Sequence, residues 1–365
     1  MTHINRINRI NRLPALQKLL VDSALDALLL TSPEARFYAT GFFSSAGMVL
    51  VTRQAGSLFT DTRYIEAARN SVTGFDVEVI TFQVGYKELV GAQLAEHGVK
   101  SLGFERRTLT VGQYEDLREA WPDVRFISAQ KWLDQLRYVK SQGEIDQMRA
   151  AQRIAEAAFA NLLPEIRPGL TERQILVALI HHLYTAGADG LAFDPIVASG
   201  PNGALPHSRA GDRPLREGDF LTLDFGAVSQ SYCSDTTRTV ALGYATEEMR
   251  RVYDTVLRAQ EAGIAVAHAG VTGADIHNAA LAVISEAGYG AYFGHGFGHC
   301  LGLEVHEPGG ASPSDRAPLP VGAVLSAEPG IYLPGRFGVR IEDVIVITET
   351  GCENLTKLGH ELMIL

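Results

Sequence analysis

AVLSAEPGIYLPGRFGVRIEDVIVIT, residues 323–348, is the stretch on which the reading of the fold turns. AVLSAEPGIYL and GVRIEDVIVIT each alternate apolar and small or polar residues, and together they read as a β-hairpin. One acid interrupts each strand, Glu328 on the first and Glu342 on the second. Upstream, FLTLDFG (220–226) and YCSDTTRTVAL (232–242) repeat the design, with Asp224 on one strand and Asp235 on the other.

Each hairpin follows a pair of helical stretches. One helix, from about Gln142 to Ile166, ends at Pro168-Gly169, and a new one starts at Thr171 with Gln174 three residues later. A second, from about Glu247 to His268, ends at Ala269-Gly270, and its successor starts at Thr272 with Asp275 three later. Gly169, Thr171 and Ile175 match Gly270, Thr272 and Ile276 at a constant offset of 101. A duplicated helix-helix-hairpin unit places four carboxylates around one pseudo-twofold axis.

Ionised carboxylates inside buried strands need cationic partners, and clustering them raises the cost. Arg238 and Arg340 could neutralise part of the charge as a salt-bridged core. The segment GHGFGHCLGLEVHE adds His295, His299 and His306 in a glycine-rich run, with Glu304 and Glu307 beside them, which favours a metal or catalytic role. Of the three, His299 is the expected ligand. Oxygen-rich ligation with one imidazole suits manganese, cobalt or zinc. Four carboxylates balance two divalent ions, and the expected chemistry is two-metal hydrolysis.

Composition limits the alternatives. The 365 residues suit two domains, and 42 acidic against 32 basic residues, a net charge of -10, argue against a nucleic-acid surface. Cys233, Cys300 and Cys352 form no CxxC pair and suit a reducing cytoplasm. No stretch is long and apolar enough to span a membrane. The triplet Ile-Asn-Arg at residues 4–12 reads as a weakly structured arm rather than a signal peptide. From about Ala24 to Asp134, ALDALLL, GMVLVT, GSLFT, FDVEVI and KSLGFE read as strands, and YKELVGAQLAEHG and VGQYEDLREAW as helices, giving an α/β domain. The character changes near Leu136–Ser141, so the expected domains are 1–137 and 138–365.

The segments LDFG, SDTTRT, HGFGHCLGLEVHE, SAEPGIY and GVRIEDVIVIT resemble the five metal-site blocks of the pita-bread metallopeptidases, which include methionine aminopeptidase, aminopeptidase P and prolidase. SPEARFYATGFFSSAGMVLVT and LFTDTRYIEAA resemble the N-terminal domain of prolidase, aminopeptidase P and creatinase. The resemblance implies an α/β N-terminal domain followed by an α+β pita-bread (creatinase/aminopeptidase-like) catalytic domain. It also implies a two-metal peptidase, manganese first, acting before proline in dipeptides or short peptides, as a homodimer or higher homo-oligomer. Asp224 would chelate one ion, Asp235 and Glu342 bridge both, and His299 and Glu328 hold the other. Glu328 would also take a proton from water. His207, in ASGPNGALPHSR, and His306 resemble the histidines that hold the substrate carbonyl and the tetrahedral intermediate. His295 would line the proline side, and Arg340 completes the substrate-site set as the arginine supporting the metal carboxylates.

The large N-terminal domain speaks against methionine aminopeptidase, intact ligands speak against creatinase and against a metal-free binding module, and prolidase and aminopeptidase P stay open. In many prolidases an arginine stands four positions after the histidine matching His306, and here that position is Gly310. Arg36, in the SPEARFYATGF loop, Arg63 or Arg316 are the expected substitutes for binding a proline carboxylate.

Overall fold

The computed structural model describes residues 11–365, and the Ile-Asn-Arg repeat falls almost wholly outside them. The chain divides into two compact units, Met1–Leu136 and Arg137–Leu365.

The first unit is built on six strands, β1 (Ala27–Leu30), β2 (Met48–Thr52), β3 (Gly56–Thr60), β4 (Asp76–Val79), β5 (Ser101–Phe104) and β6 (Arg125–Ser128), in the order β4-β3-β2-β1-β5-β6. The continuous apolar run of β1 is explained by burial on both faces. Leu28 and Leu30 pack with Leu16 and Leu20 on one side, while Ala27 and Leu29 pack with Val90 and Leu94 on the other. Six helices accompany the sheet: α1 (Leu13–Asp22), α2 (Pro33–Thr40), α3 (Ile65–Ser71), α4 (Tyr86–Glu96), α5 (Val111–Ala120) and α6 (Gln130–Tyr138). The strand β6, with only four residues and neither end buried, escapes the alternation test.

The SPEARFYATGF segment is a helix, not the expected loop. Ser32 caps it by accepting from the Ala35 N–H at 3.0 Å, Pro33 opens it, and Gly41 closes it with φ of 70°. Arg36 is accordingly not a solvated charge. It is 3% exposed, and its guanidinium donates to the carbonyls of Thr31 and Ser44, the latter at 2.6 Å.

In the second unit, α7 (Gln142–Leu162) and α8 (Glu172–Thr185) precede β7 (Gly190–Leu191), β8 (Ile196–Ser199), β9 (Phe220–Phe225), β10 (Ala227–Ser229), β11 (Tyr232–Cys233) and β12 (Thr236–Ala241). Then α9 (Glu247–Val266) and α10 (Gly273–Glu286) precede β13 (Gly298–Cys300), β14 (Glu307–Ala311), β15 (Val324–Ala327), β16 (Gly330–Leu333), β17 (Phe337–Arg340), β18 (Asp343–Ile347) and β19 (Cys352–Asn354). The two halves repeat each other in detail. Gly169 and Gly270 share a φ of 93°, a left-handed turn that favours glycine. Thr171 with Gln174, and Thr272 with Asp275, form reciprocal capping boxes. Each half has its own core: Phe159, Leu179 and Leu183 pack on Leu223 and Phe225 in the first, and Val256, Ile276 and Ile284 pack among Leu325, Ile331 and Ile345 in the second.

The second hairpin is broken where its acids lie. β15 pairs with β18 and β16 with β17, so the chain changes sheets at Glu328-Pro329 and again at Ile341-Glu342. Ala327 pairs with Asp343 on one side of the break and Gly330 with Arg340 on the other, which sets Glu328 opposite Glu342. In the first hairpin Asp224 pairs with Thr237, and Asp235 stands just before β12.

Candidate metal centre

Where the two hairpins meet, the structure brings together all five residues expected to bind metal. His299 Nε2 lies 3.5 Å from Asp235 Oδ2 and 3.3 Å from Glu328 Oε1. One ligand atom each from Asp235, His299 and Glu342 fall within 4.8 Å of one another, close enough to share one cation. Asp224 is buried against them, and the five residues line one wall of a cavity of about 1030 Å³.

The salt-bridged-core alternative fails on count. Arg238 is fully buried but turns to the other side of its strand, pairing with Asp343 at 2.8 Å and donating to the Glu342 carbonyl at 2.6 Å. Of the arginines and lysines among the described residues only Arg340 reaches the acids, donating to Asp224 Oδ2 at 2.5 Å. Burial pushes Asp224 up, with Arg340 opposing and Glu328 adding to the push. Burial likewise lifts Asp235 to about 7, although its bond with His299 works the other way. Glu342 is raised well above the carboxylate range by burial and by the neighbouring Asp235, Glu328 and Asp224. Burial opposes a charge on His299, yet Asp235 and Glu328 raise it to about 9.

The donor set fits divalent cations. Asp224 Oδ1 is buried with no hydrogen-bond partner among the described residues, an acceptor left unsatisfied by the protein. His299 Nδ1 lies 3.3 Å from the Cys300 carbonyl, which can only accept, so Nδ1 carries a proton and Nε2, which faces the acids, is the nitrogen that would ligate a cation on giving up its own proton.

Three side chains that the sequence reading missed hold the acids in place. Thr237 Oγ1 donates to Glu342 Oε2 at 2.6 Å and accepts from Arg340 Nε at 3.0 Å. Ser326 Oγ accepts from the His299 N–H and donates to Glu328 Oε1, both at 3.0 Å. Ser326 precedes Glu328 by two residues, the strand period, which is the signal that could have revealed it. Tyr332 OH accepts from Arg340 Nη1 and donates to His295 Nε2, each at 2.9 Å. His295 Nδ1 meets the Gly296 carbonyl at 2.8 Å, so the ring is neutral and both nitrogens are engaged. Burial lowers its pKa to match, with Glu328 opposing and Arg340 adding to the push. His295 thus offers the cavity a ring face, packed edge-on against Phe293.

His207 and His306 line the same cavity, and the His306 ring lies 4.2 Å from that of His299. Burial, then the charge on His299, lowers the His306 pKa. Glu304 and Glu307, grouped with the histidines in the sequence, turn away from them. Both pair with Arg137, and Glu307 also with Lys140 at 3.1 Å. They anchor the loop rather than the centre.

Residues 146–349 match metallopeptidase family M24, and residues 12–139 match the creatinase/prolidase N-terminal domain. The chain is 35% identical to the Xaa-Pro dipeptidase of Pyrococcus horikoshii over 93% of its own length and 95% of that protein's. Among solved structures it resembles the Xaa-Pro dipeptidase from Bacillus anthracis, with 39% identity, a TM-score of 0.93, and 97% and 99% of the two chains covered. It also resembles the X-Pro aminopeptidase from Thermotoga maritima, with 36% identity, a TM-score of 0.90, and 94% and 98% covered.

Proposed function

Because this chain belongs to metallopeptidase family M24 and carries a creatinase/prolidase N-terminal domain, we propose that it hydrolyses the bond preceding proline in Xaa-Pro dipeptides. One observation carries the reading. Three buried carboxylates and the half-buried Glu328 converge with His299 beside a cavity, and among the described residues Arg340 is the one arginine or lysine paired with them. The 35% and 39% identity to two Xaa-Pro dipeptidases supplies the substrate class.

In this proposal Asp224, Asp235, His299, Glu328 and Glu342 would hold two divalent ions, Asp224 serving one, His299 and Glu328 the other, and Asp235 and Glu342 both. Bound there, divalent ions supply the Lewis acidity that makes water nucleophilic near neutral pH. Glu328, its Oε1 fixed by Ser326, accepts the proton of the attacking water. His306 and His207 donate N–H groups to the scissile carbonyl oxygen as it gains charge. His295, backed by Phe293, gives the proline ring an apolar wall. Arg340 acts through Asp224, Thr237 and Tyr332 rather than by touching substrate.

The oxygen-rich donors favour manganese, with cobalt or zinc as alternatives. The three cysteines, none in a disulfide, suit the cytoplasm, and among the described residues no helix is long and apolar enough to cross a membrane. The family resemblance extends the reading to a homodimer or higher homo-oligomer. A second reading, an aminopeptidase acting on longer Xaa-Pro peptides, is favoured by the TM-score of 0.90 to the Thermotoga protein. Cleavage of Ala-Pro against Ala-Pro-Ala by manganese-loaded enzyme separates the two. A preference for the tripeptide would reject the dipeptidase, and full activity after exhaustive chelation would reject the metal chemistry.

A further inference from the structure

A dipeptide ending in proline brings a free carboxylate into the cavity, and taking that charge out of water requires a cation. We infer that Arg209 is the residue that binds it, an inference resting on the dipeptidase reading. Besides the histidines, the cationic side chains lining the cavity are Arg209 and Arg340. Arg340 is buried, and its nitrogens donate to Thr237, Tyr332 and Asp224. Arg209 is exposed to the cavity, and among the described residues its guanidinium has no hydrogen bond or ion pair. A planar guanidinium with all its donors available matches a carboxylate in bidentate geometry.

The rest of the cavity strengthens the need for it. Asp194 and Asp315 also line the space and would repel a carboxylate. Asp315 Oδ2 is taken by Ser312, at 2.9 Å from its N–H and 2.5 Å from its hydroxyl, and does not pair with Arg209. The wall at Gly310 cannot supply a side chain without moving, because a Cβ there would lie 2.8 Å from the Gly298 carbonyl oxygen. Arg316 is exposed and does not line the cavity.

Arg209 stands two residues after His207 on a segment that is pinned from below. The carboxylate of Glu172, fully buried, accepts from the Ser199 N–H and hydroxyl at 2.8 Å, from Asn202 Nδ2 at 3.0 Å and from the Gly211 N–H at 3.1 Å. Arg213 ties the same segment to Asp219 at 2.6 Å. The backbone carrying Arg209 is therefore fixed at both ends, while its side chain stays available. Glu172 is a positioning residue in this arrangement, and Arg209 is the group that contacts substrate.

The test compares Ala-Pro with its C-terminal amide, on manganese-loaded wild type, Arg209→Ala and Arg209→Lys. Losing one charged, bidentate partner should lower the selectivity for acid over amide by about 10- to 100-fold in Arg209→Ala. The change should appear in KM for Ala-Pro and in weaker inhibition by L-proline, with kcat and metal content little altered. Arg209→Lys, which keeps the charge and loses the fork, should fall between the two. Unchanged selectivity in Arg209→Ala, or a loss of kcat shared by acid and amide, would overturn the assignment. A wild-type enzyme that cuts neither peptide would instead refute the proposed function, a result read before any variant is made.

Discussion

Stripping the cations from this protein should make its stability fall as pH rises, and the slope can be worked from the acid cluster. Asp235, ordinarily at 3.8, is lifted by burial to about 7 in the folded protein. Between those values the folded state holds a proton that the unfolded state has released, so stability declines with rising pH. The full displacement corresponds to roughly 4 kcal/mol. Between about pH 5 and about pH 7 roughly 2–3 kcal/mol of it is expressed, about 5–10 °C in Tm for a unit of this size. Glu342 and Asp224, also raised, add to the decline. His299, lifted from 6.5 to about 9, contributes stability present at low pH and lost as pH passes through its folded value, which carries the decline further in the same direction. The measurement is a set of calorimetric melts on exhaustively chelated protein across that range. Asp235→Asn removes the largest single numbered contribution and should give a shallower slope, and manganese should flatten the slope of the wild type. Parallel curves for chelated wild type and Asp235→Asn would refute the reasoning, because the acid would then not be the source of the pH dependence.

Glu342→Gln should reduce both bound metal, read by elemental analysis, and turnover; two metals with normal turnover would show that Glu342 is not a ligand. His306→Ala should keep its metals and lose about 10²- to 10³-fold in kcat, the usual loss for a donor aimed at developing charge. Glu172→Ala strands the Ser199, Asn202 and Gly211 donors and should lower stability by about 1–3 kcal/mol in chemical denaturation while impairing turnover. Gly298→Ala would place a Cβ 1.9 Å from the Ser326 carbonyl oxygen, beside His299, and should lower metal occupancy more than Gly143→Ala, where nothing lies within 4 Å.

The sequence by itself determined the residue types at the centre and the scaffold that repeats. Alternation in residues 323–348 and 220–242 marks hairpins because strand side chains have a period of two, and an acid in such a run must be answered by a cation. The matching Thr171 and Thr272 caps are local, satisfied within three residues, and so could be read directly. What only the tertiary structure decided were the directions of side chains whose partners lie far along the chain. Arg238 and Arg340 sit on two similar-looking strands, yet one pairs with Asp343, 105 residues away, and the other with Asp224, 116 away. Nothing local distinguishes them. Arg36 reads as a loop residue able to bind a carboxylate until a helix buries it, and Glu304 and Glu307 read as part of the histidine cluster until Arg137 and Lys140 draw them aside. Arg209 became visible for the opposite reason, because its neighbours among the described residues leave it unpaired and only the cavity gives its charge a place to act. Composition and spacing fix which groups are present, whereas packing between distant segments fixes which of them are already satisfied and which still need a partner.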